Sequence, residues 1–412
     1  MIPCLLEHHC NRLALLSQGK EFTYKQLSAL VCEAKERYGL SAHPKGQPVA
    51  FIAESSSESL ALFFAIWREG LIALPLSPRW PKQATEEALI LTGARLLQPV
   101  LSSKTVAYPE GNLNPEALAT MLFTSGTTGS PKIACHSLKN HLESAKSAAQ
   151  LLGIEKESRY LLSLPLSHVG GIAAMLRTFL VGATLLLAPP CAEPTHLSLV
   201  PTQLRRLVKN GEAPKKTRCI LVGGACLSTE LLEEALSQKL PIYQSYGLTE
   251  TASLIALQTP HMARTQIAEG AELKIEGGEI YVRGPQLFRG YFKKGEPSLD
   301  LPLVDGWFAT GDLGSMSADG TLKWLGRKDR RFKSGGETIQ PEEIEALLLE
   351  VPGIVEAYVR PSPHEEFGQC PHAFVFCDEE VDLRAVERQL RQQLPGYKIP
   401  KRWEKLSDPL KG

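Results

Sequence analysis

Between Leu122 and Lys132 the chain reads Leu-Phe-Thr-Ser-Gly-Thr-Thr-Gly-Ser-Pro-Lys, placing five hydroxyls, two glycines and one lysine in eleven residues. Gly126 and Gly129 tolerate the φ values of a tight concave loop, whose N–H groups can then turn inward. Hydroxyls at Thr124, Ser125, Thr127 and Thr128 add further donors, and Lys132 adds a mobile positive charge. That is chemistry for a polyphosphate. The order lacks the Gly-Lys-Ser/Thr ending of a Walker A loop. Taken alone, the segment also reads as a Ser/Thr/Gly surface loop.

Other segments carry isolated polar groups in apolar or glycine-rich settings. Gly223-Gly224-Ala225 follows the apolar run Cys219–Val222, where small residues let a flat ring approach the backbone; alone, this pattern is also an ordinary turn. Glu250 in Tyr246-Gly247-Leu248-Thr249-Glu250 and Asp312 beside Gly311 read either as turn residues or as functional carboxylates. Arg177 is the one charge in a long apolar stretch following Leu164-Pro165-Leu166-Ser167-His168-Val169-Gly170-Gly171. A charge there is costly unless paired, so Arg177 meets either a protein carboxylate or an anionic substrate.

The elements around these residues follow a strand–helix–strand rhythm. Thr23-x-x-Gln26 is a capping box opening a helix whose apolar face is Leu27, Leu30, Val31 and Ala34. Residues 48–53 read as a strand, 57–70 as a helix ending in glycine, and 71–76 as the next strand. The rhythm recurs through 161–187 and 219–243, which predicts parallel sheets covered by helices. Short strands at 279–283, 303–309 and 322–325 predict a small β subdomain. Beyond Gly326 the texture becomes α+β, with Pro341 as a first helical residue, strands at 355–360 and 372–377, and a helix at 384–394. The expected architecture is α/β: a large domain of parallel sheets over residues 1–326, with the β subdomain at about 275–326, then a small mobile α+β domain over 327–412.

Lysine plus arginine equals aspartate plus glutamate at 45 each, which gives no electrostatic case for nucleic acid or an anionic membrane. Nine scattered cysteines without a Cys-x-x-Cys pair fit reduced thiols in the cytoplasm. Glu7, His8 and His9 fall too early for a signal peptide. The apolar region 160–192 is broken by Pro165, Gly170, Gly171 and Arg177, which predicts a buried strand–helix–strand unit rather than a membrane span. A homo-oligomer remains compatible with the sequence.

Residues 122–132 and the block Tyr246–Glu250, with Thr310-Gly311-Asp312, Gly326-Arg327-Lys328-Asp329 and Lys333–Glu345, match in type, order and spacing the adenylate-forming superfamily of AMP-binding acyl-CoA synthetases. The resemblance spans about half the chain. It implies ATP, Mg²⁺ and coenzyme A, a small aryl or acyl carboxylic acid, and two steps: formation of an acyl-adenylate, then displacement of AMP by a thiol. By resemblance, Thr124–Gly129 and Lys132 hold the β- and γ-phosphates, Thr249 the α-phosphate and Glu250 the metal. Gly223, Gly224, Ala225, Tyr246 and Gly247 take the adenine, Asp312 the ribose, and Arg327 ribose or phosphate. Asp329 occupies the hinge position about which the last domain rotates. Gly335 and Gly336 then face the pantetheine arm.

The resemblance also puts His168 and Gly170 beside the acyl pocket. His168 to Arg177, the block Leu199–Leu207, residues 334–345 and Arg402-Trp403 are most similar to a branch acting on an aryl acid with two carboxylates. One carboxylate is activated and the other needs a cationic anchor, for which Arg177 is the candidate. Two features depart from the pattern. Gly170 stands where serine is expected, and the terminal Gly-Lys pair is replaced by Lys411-Gly412, so the adenylation lysine is expected beyond Gly412 unless Lys411 substitutes. Alternatives are a ligase or adenylation enzyme for another acid, including one serving a carrier protein, and a non-catalytic nucleotide-binding protein.

Overall fold

The computed structural model describes residues 9–100, 114–124, 131–187, 192–211, 213–225, 227–259, 264–296 and 298–407. Two large sheets organise most of the chain. One has nine strands in the order Gln266–Ile267, Ser253–Gln258, Ile242–Leu248, Cys219–Val222, His196–Leu199, Arg159–Leu162, Thr184–Leu187, Leu13–Ser17 and Lys20–Thr23. Its centre is parallel and its edges are antiparallel, as helical crossovers bury the middle and hairpins close the margins. The other has six strands in the order Gly290–Phe292, Lys132–Ser137, Leu118–Thr124, Ile72–Leu76, Pro48–Ile52 and Arg95–Leu96.

Helices Tyr24–Arg37, Ser57–Arg68, Leu138–Leu151 and Val169–Leu180 contribute to one core with both sheets. The Thr23 capping box is present: Gln26 N–H donates to Thr23 Oγ1 at 3.2 Å, and Thr23 N–H donates to Gln26 Oε1 at 2.7 Å. Leu27, Val31 and Ala34 are buried, while Leu30 sits at the core margin. The region 160–187 forms the expected strand, helix and strand. No helix among the described residues is long and apolar enough to cross a membrane.

The third sheet holds Glu272–Glu276, Glu279–Arg283, Trp307–Met316, Leu303–Val304 and Leu322–Arg327. Here the expected single strand at 303–309 is a hairpin. Asp305 and Gly306 take φ of 50° and 79°, so Leu303–Val304 folds back on Trp307–Phe308. Asp-Gly is the turn signal for such a connection. After Arg327 come a small hairpin, Phe332–Ser334 with Glu337–Ile339, and the sheet Ile354–His364, Gly368–Cys377 and Arg402–Lys405, covered by helices Pro341–Leu349 and Leu383–Gln393. These elements have a separate hydrophobic cluster around Ile344, Leu348, Val375 and Leu390.

Candidate active site

Four parallel strands end on one edge of the nine-stranded sheet: Arg159–Leu162, His196–Leu199, Cys219–Val222 and Ile242–Leu248. Carboxyl ends of parallel strands are where open α/β sheets bind ligands. Gly223 and Gly224 leave one of these ends, and Tyr246 lies near the end of the neighbouring strand. A Cβ on Gly223 would lie 2.3 Å from Ser245 Oγ, and Gly224 has φ of 82°, so both positions favour glycine for local reasons. Ala225 follows, exposed.

The strand Ile242–Leu248 bulges between Tyr246 and Gly247. A Cβ on Gly247 would sit 1.8 Å from the Ser253 carbonyl oxygen, so only glycine permits this pairing. The chain then forms a single 3₁₀ turn, Thr249–Thr251, followed by Ala252 and Ser253 at φ of 50° and 105°. Non-glycine residues in that region store strain and persist only where neighbours over-determine them. The Glu250 carboxylate accepts from Tyr291 Oη at 2.6 Å, and Lys132 Nζ lies 5.0 Å from the centre of the same Tyr291 ring. Thr124 pairs with Lys132 across the hairpin, so the two ends of the glycine-rich loop are adjacent. Ser125, Gly126, Thr127, Thr128 and Gly129 lie outside the described residues, as does Lys411.

Among the described residues, no three His, Cys, Asp or Glu side chains form a metal cage. A lone carboxylate such as Glu250 suits Mg²⁺, which takes most of its oxygen ligands from phosphates and water. The donor set therefore fits that ion.

Asp312 is 3 % exposed and sits where strand Trp307–Met316 meets Leu322–Arg327. Its Oδ2 accepts from Tyr246 Oη at 2.9 Å, and its Oδ1 faces Arg327 Nη1 at 3.2 Å. Burial pushes the carboxyl above the usual range, and Arg327 and the hydrogen bonds oppose that shift. Gly311, at φ of 72°, leaves room for the Arg327 guanidinium, which also pairs with Asp329 at 3.0 Å. Asp329 belongs to the 3₁₀ turn Lys328–Arg330. Gly335 and Gly336 form the exposed turn of the Phe332–Ile339 hairpin, at φ of 56° and 89°.

On the same sheet edge, His168 caps the start of helix Val169–Leu180. It is exposed rather than a core histidine, and the partial burial of its ring, then the Arg79 guanidinium, hold its pKa below the ordinary value. Gly171 is sterically required, since a Cβ there would approach the Pro165 carbonyl oxygen to 2.2 Å. At Gly170 a Cβ would meet only the Leu164 side chain, at 2.9 Å.

Arg177 is 1 % exposed. Its Nε donates to Ala173 O at 2.9 Å within its own helix, Nη2 reaches Ser253 Oγ at 3.5 Å, and its guanidinium lies 5.8 Å from the Tyr160 ring centre. Nη1 is buried without a partner. No carboxylate forms an ion pair with Arg177 among the described residues. Of the two options left by the sequence, the protein carboxylate is therefore not found.

A family model described as AMP-binding enzyme matches residues 6–105 and 97–292, and another described as AMP-binding enzyme C-terminal domain matches 343–410. The chain belongs to the AMP-binding enzyme family. It is similar to 2-succinylbenzoate–CoA ligase of Escherichia coli strain K12, 33 % identical over 97 % of this chain and 92 % of that protein. It is also similar to the ligase of that name from Oceanobacillus iheyensis, 30 % identical over 93 % and 90 %. Among solved structures, it resembles o-succinylbenzoate coenzyme A synthetase from Bacillus subtilis in complex with AMP, with a TM-score of 0.89 and 28 % identity over 100 % and 96 % of the two chains. The same B. subtilis protein with its acyl-adenylate intermediate gives 0.88 over 98 % and 95 %.

Several residues of this AMP-binding enzyme escape a reading by motif. Tyr291 links Lys132 to Glu250, and Ser253 touches Arg177. His136 and His141 lie buried behind the Thr249 turn, their ring centres 4.8 Å apart. Burial lowers the pKa of His136 to about 4, although its bond to the Thr249 carbonyl opposes that shift. The available signal was polarity out of place: His136 directly follows the continuous apolar run Ile133-Ala134-Cys135 of its strand.

Proposed function

We propose that this AMP-binding enzyme is an ATP-dependent acid–thiol ligase that converts 2-succinylbenzoate to its CoA thioester, the step known from menaquinone synthesis. The activated carboxylate oxygen bonds to the α-phosphorus of ATP while the bond to pyrophosphate breaks. The CoA sulfur then bonds to the acyl carbon, AMP departs, and the thiol proton is released. Two anions must meet in the first step, so the protein's contribution is positioning and charge neutralisation.

In this reading Thr124–Gly129 and Lys132 hold the β- and γ-phosphates, Thr249 orients the α-phosphate, and Glu250 holds Mg²⁺. The ion supplies charge neutralisation on the phosphates when bound. Gly223–Ala225, Tyr246 and Gly247 form the adenine wall, and Asp312 with Arg327 takes the ribose. The Tyr246–Asp312 and Asp312–Arg327 contacts support that grouping. His168 and Gly170 border the acyl pocket. Residues 1–326, with the β subdomain at about 275–326, and 327–412 act as two domains that rotate about Asp329, exposing Gly335 and Gly336 to the pantetheine arm. Six cysteines held as thiols among the described residues and the balanced charge support a cytoplasmic enzyme acting on a small molecule rather than nucleic acid.

One observation carries the choice of acid. Arg177 is buried, has an unpartnered Nη1 and pairs with no carboxylate among the described residues. A buried charge held this way calls for an anion, and the succinyl carboxylate supplies one. The test is AMP release with ATP, Mg²⁺ and CoA on 2-succinylbenzoate, benzoate, 4-hydroxybenzoate, a medium-chain fatty acid and acetate. Strong preference for 2-succinylbenzoate is expected; equal turnover of benzoate would overturn the choice of acid but not the chemistry.

A further inference from the structure

The backbone carbonyls of the Thr249 turn are held from three directions. Phe288 N–H donates to Glu250 O at 2.7 Å, and Ser144 Oγ donates to Ala252 O at 2.7 Å. His136 Nε2 lies 2.7 Å from Thr249 O. A carbonyl can only accept, so His136 carries its proton on Nε2 and leaves Nδ1 bare. That Nδ1 is buried without a partner, as is Nδ1 of His141, whose Nε2 meets Thr120 Oγ1 at 2.7 Å. A buried imidazole with an unsatisfied nitrogen is costly for stability alone, and an aliphatic side chain would fill the space without that penalty.

His136 also shares a strand with Lys132, which begins at the exit of the glycine-rich loop. The imidazole thus ties the strand carrying Lys132 to the turn carrying Thr249 and Glu250, across 113 residues of sequence. We propose that His136 is a positioning residue for adenylation: its Nε2–H fixes the Thr249 carbonyl, and so the aim of the Thr249 hydroxyl and the Glu250 carboxylate toward Mg²⁺–ATP. The inference rests on the roles given above to Thr249 and Glu250. A turn with Ala252 and Ser253 in the left-handed region relaxes unless held, and misplacement of about 1 Å in such a site costs roughly 100-fold in rate.

The test compares His136→Gln with His136→Asn. Glutamine can place an amide N–H where Nε2 stands, whereas asparagine's amide falls short of it. Binding of ATP is measured with and without Mg²⁺, needing no acid, and the rate of adenylate formation is measured beside it. His136→Asn should lose about 10- to 100-fold in adenylation rate and most of the tightening of ATP by Mg²⁺, with a smaller weakening of ATP alone through Thr249. His136→Gln should recover most of both. Equal behaviour of the two variants, or a wild-type Mg²⁺ response in His136→Asn, would overturn the proposal. If wild type binds Mg²⁺–ATP but does not turn over 2-succinylbenzoate, the acid assignment fails while the binding comparison still decides the role of His136.

Discussion

Replacing Arg177 by methionine removes the buried charge while keeping most of the side chain's volume. In the structure the guanidinium spends Nε on its own helix, makes one long contact to Ser253 through Nη2, and leaves Nη1 free. An acid with a second carboxylate can therefore gain one or two charge-assisted hydrogen bonds, worth about 1.5–4 kcal/mol together. At about 1.4 kcal/mol per tenfold, KM for 2-succinylbenzoate should rise roughly 10- to 1,000-fold. Benzoate has nothing to offer this cation, so its kcat/KM should be unchanged or slightly better. Thermal stability should hold or increase, since a buried unpaired charge gives way to an apolar side chain. The assay is AMP release on both acids with a melting curve on the same protein. An unchanged KM for 2-succinylbenzoate, or an equal loss with benzoate, would refute the anchoring role.

Further outcomes follow from other parts of the site. Gly247→Ala should destabilise by about 3 kcal/mol or more, read as a lowered denaturation midpoint, because its Cβ would lie 1.8 Å from a backbone oxygen that cannot swing aside. A stable Gly247→Ala protein would show that the bulge adapts freely. Asp329→Pro should slow thioester formation at least about tenfold while adenylation changes little, because a fixed φ restricts the hinge; equal slowing of both steps would contradict rotation about this residue. His136 has a folded pKa of about 4, below the ordinary 6.5, so the unfolded chain takes up a proton that the native state refuses. Its contribution is fully present above pH 6.5 and is lost as pH falls toward 4, by about 3 kcal/mol in all. His141 acts in the same direction. His136→Gln should flatten the loss between those pH values in urea titrations; an unaltered slope would mean that other groups dominate it.

The amino-acid sequence by itself determined the features whose physics is local. The Thr23–Gln26 box, Pro341 at a helix start, and the helix ending near Arg68 depend on neighbours a few residues away. The order and spacing of the glycine, threonine and acidic blocks likewise carried the family. The Leu303–Phe308 hairpin is equally local, since Asp305-Gly306 is itself the signal for a tight turn between two short strands.

Tertiary structure alone decided which polar groups meet. Tyr291 reaches Glu250 from 41 residues away, Ser253 reaches Arg177 from 76, and His136 reaches the Thr249 carbonyl from 113. Such pairings arise where separate strands and helices converge on one sheet edge, and no periodicity within a single segment encodes them. The same holds for Arg177, whose sequence setting allowed either a protein carboxylate or a ligand. Only the packing of its helix against the Ala252–Ser253 turn and Tyr160 showed a guanidinium buried with a free Nη1, because burial and pairing belong to the assembled core and not to the chain.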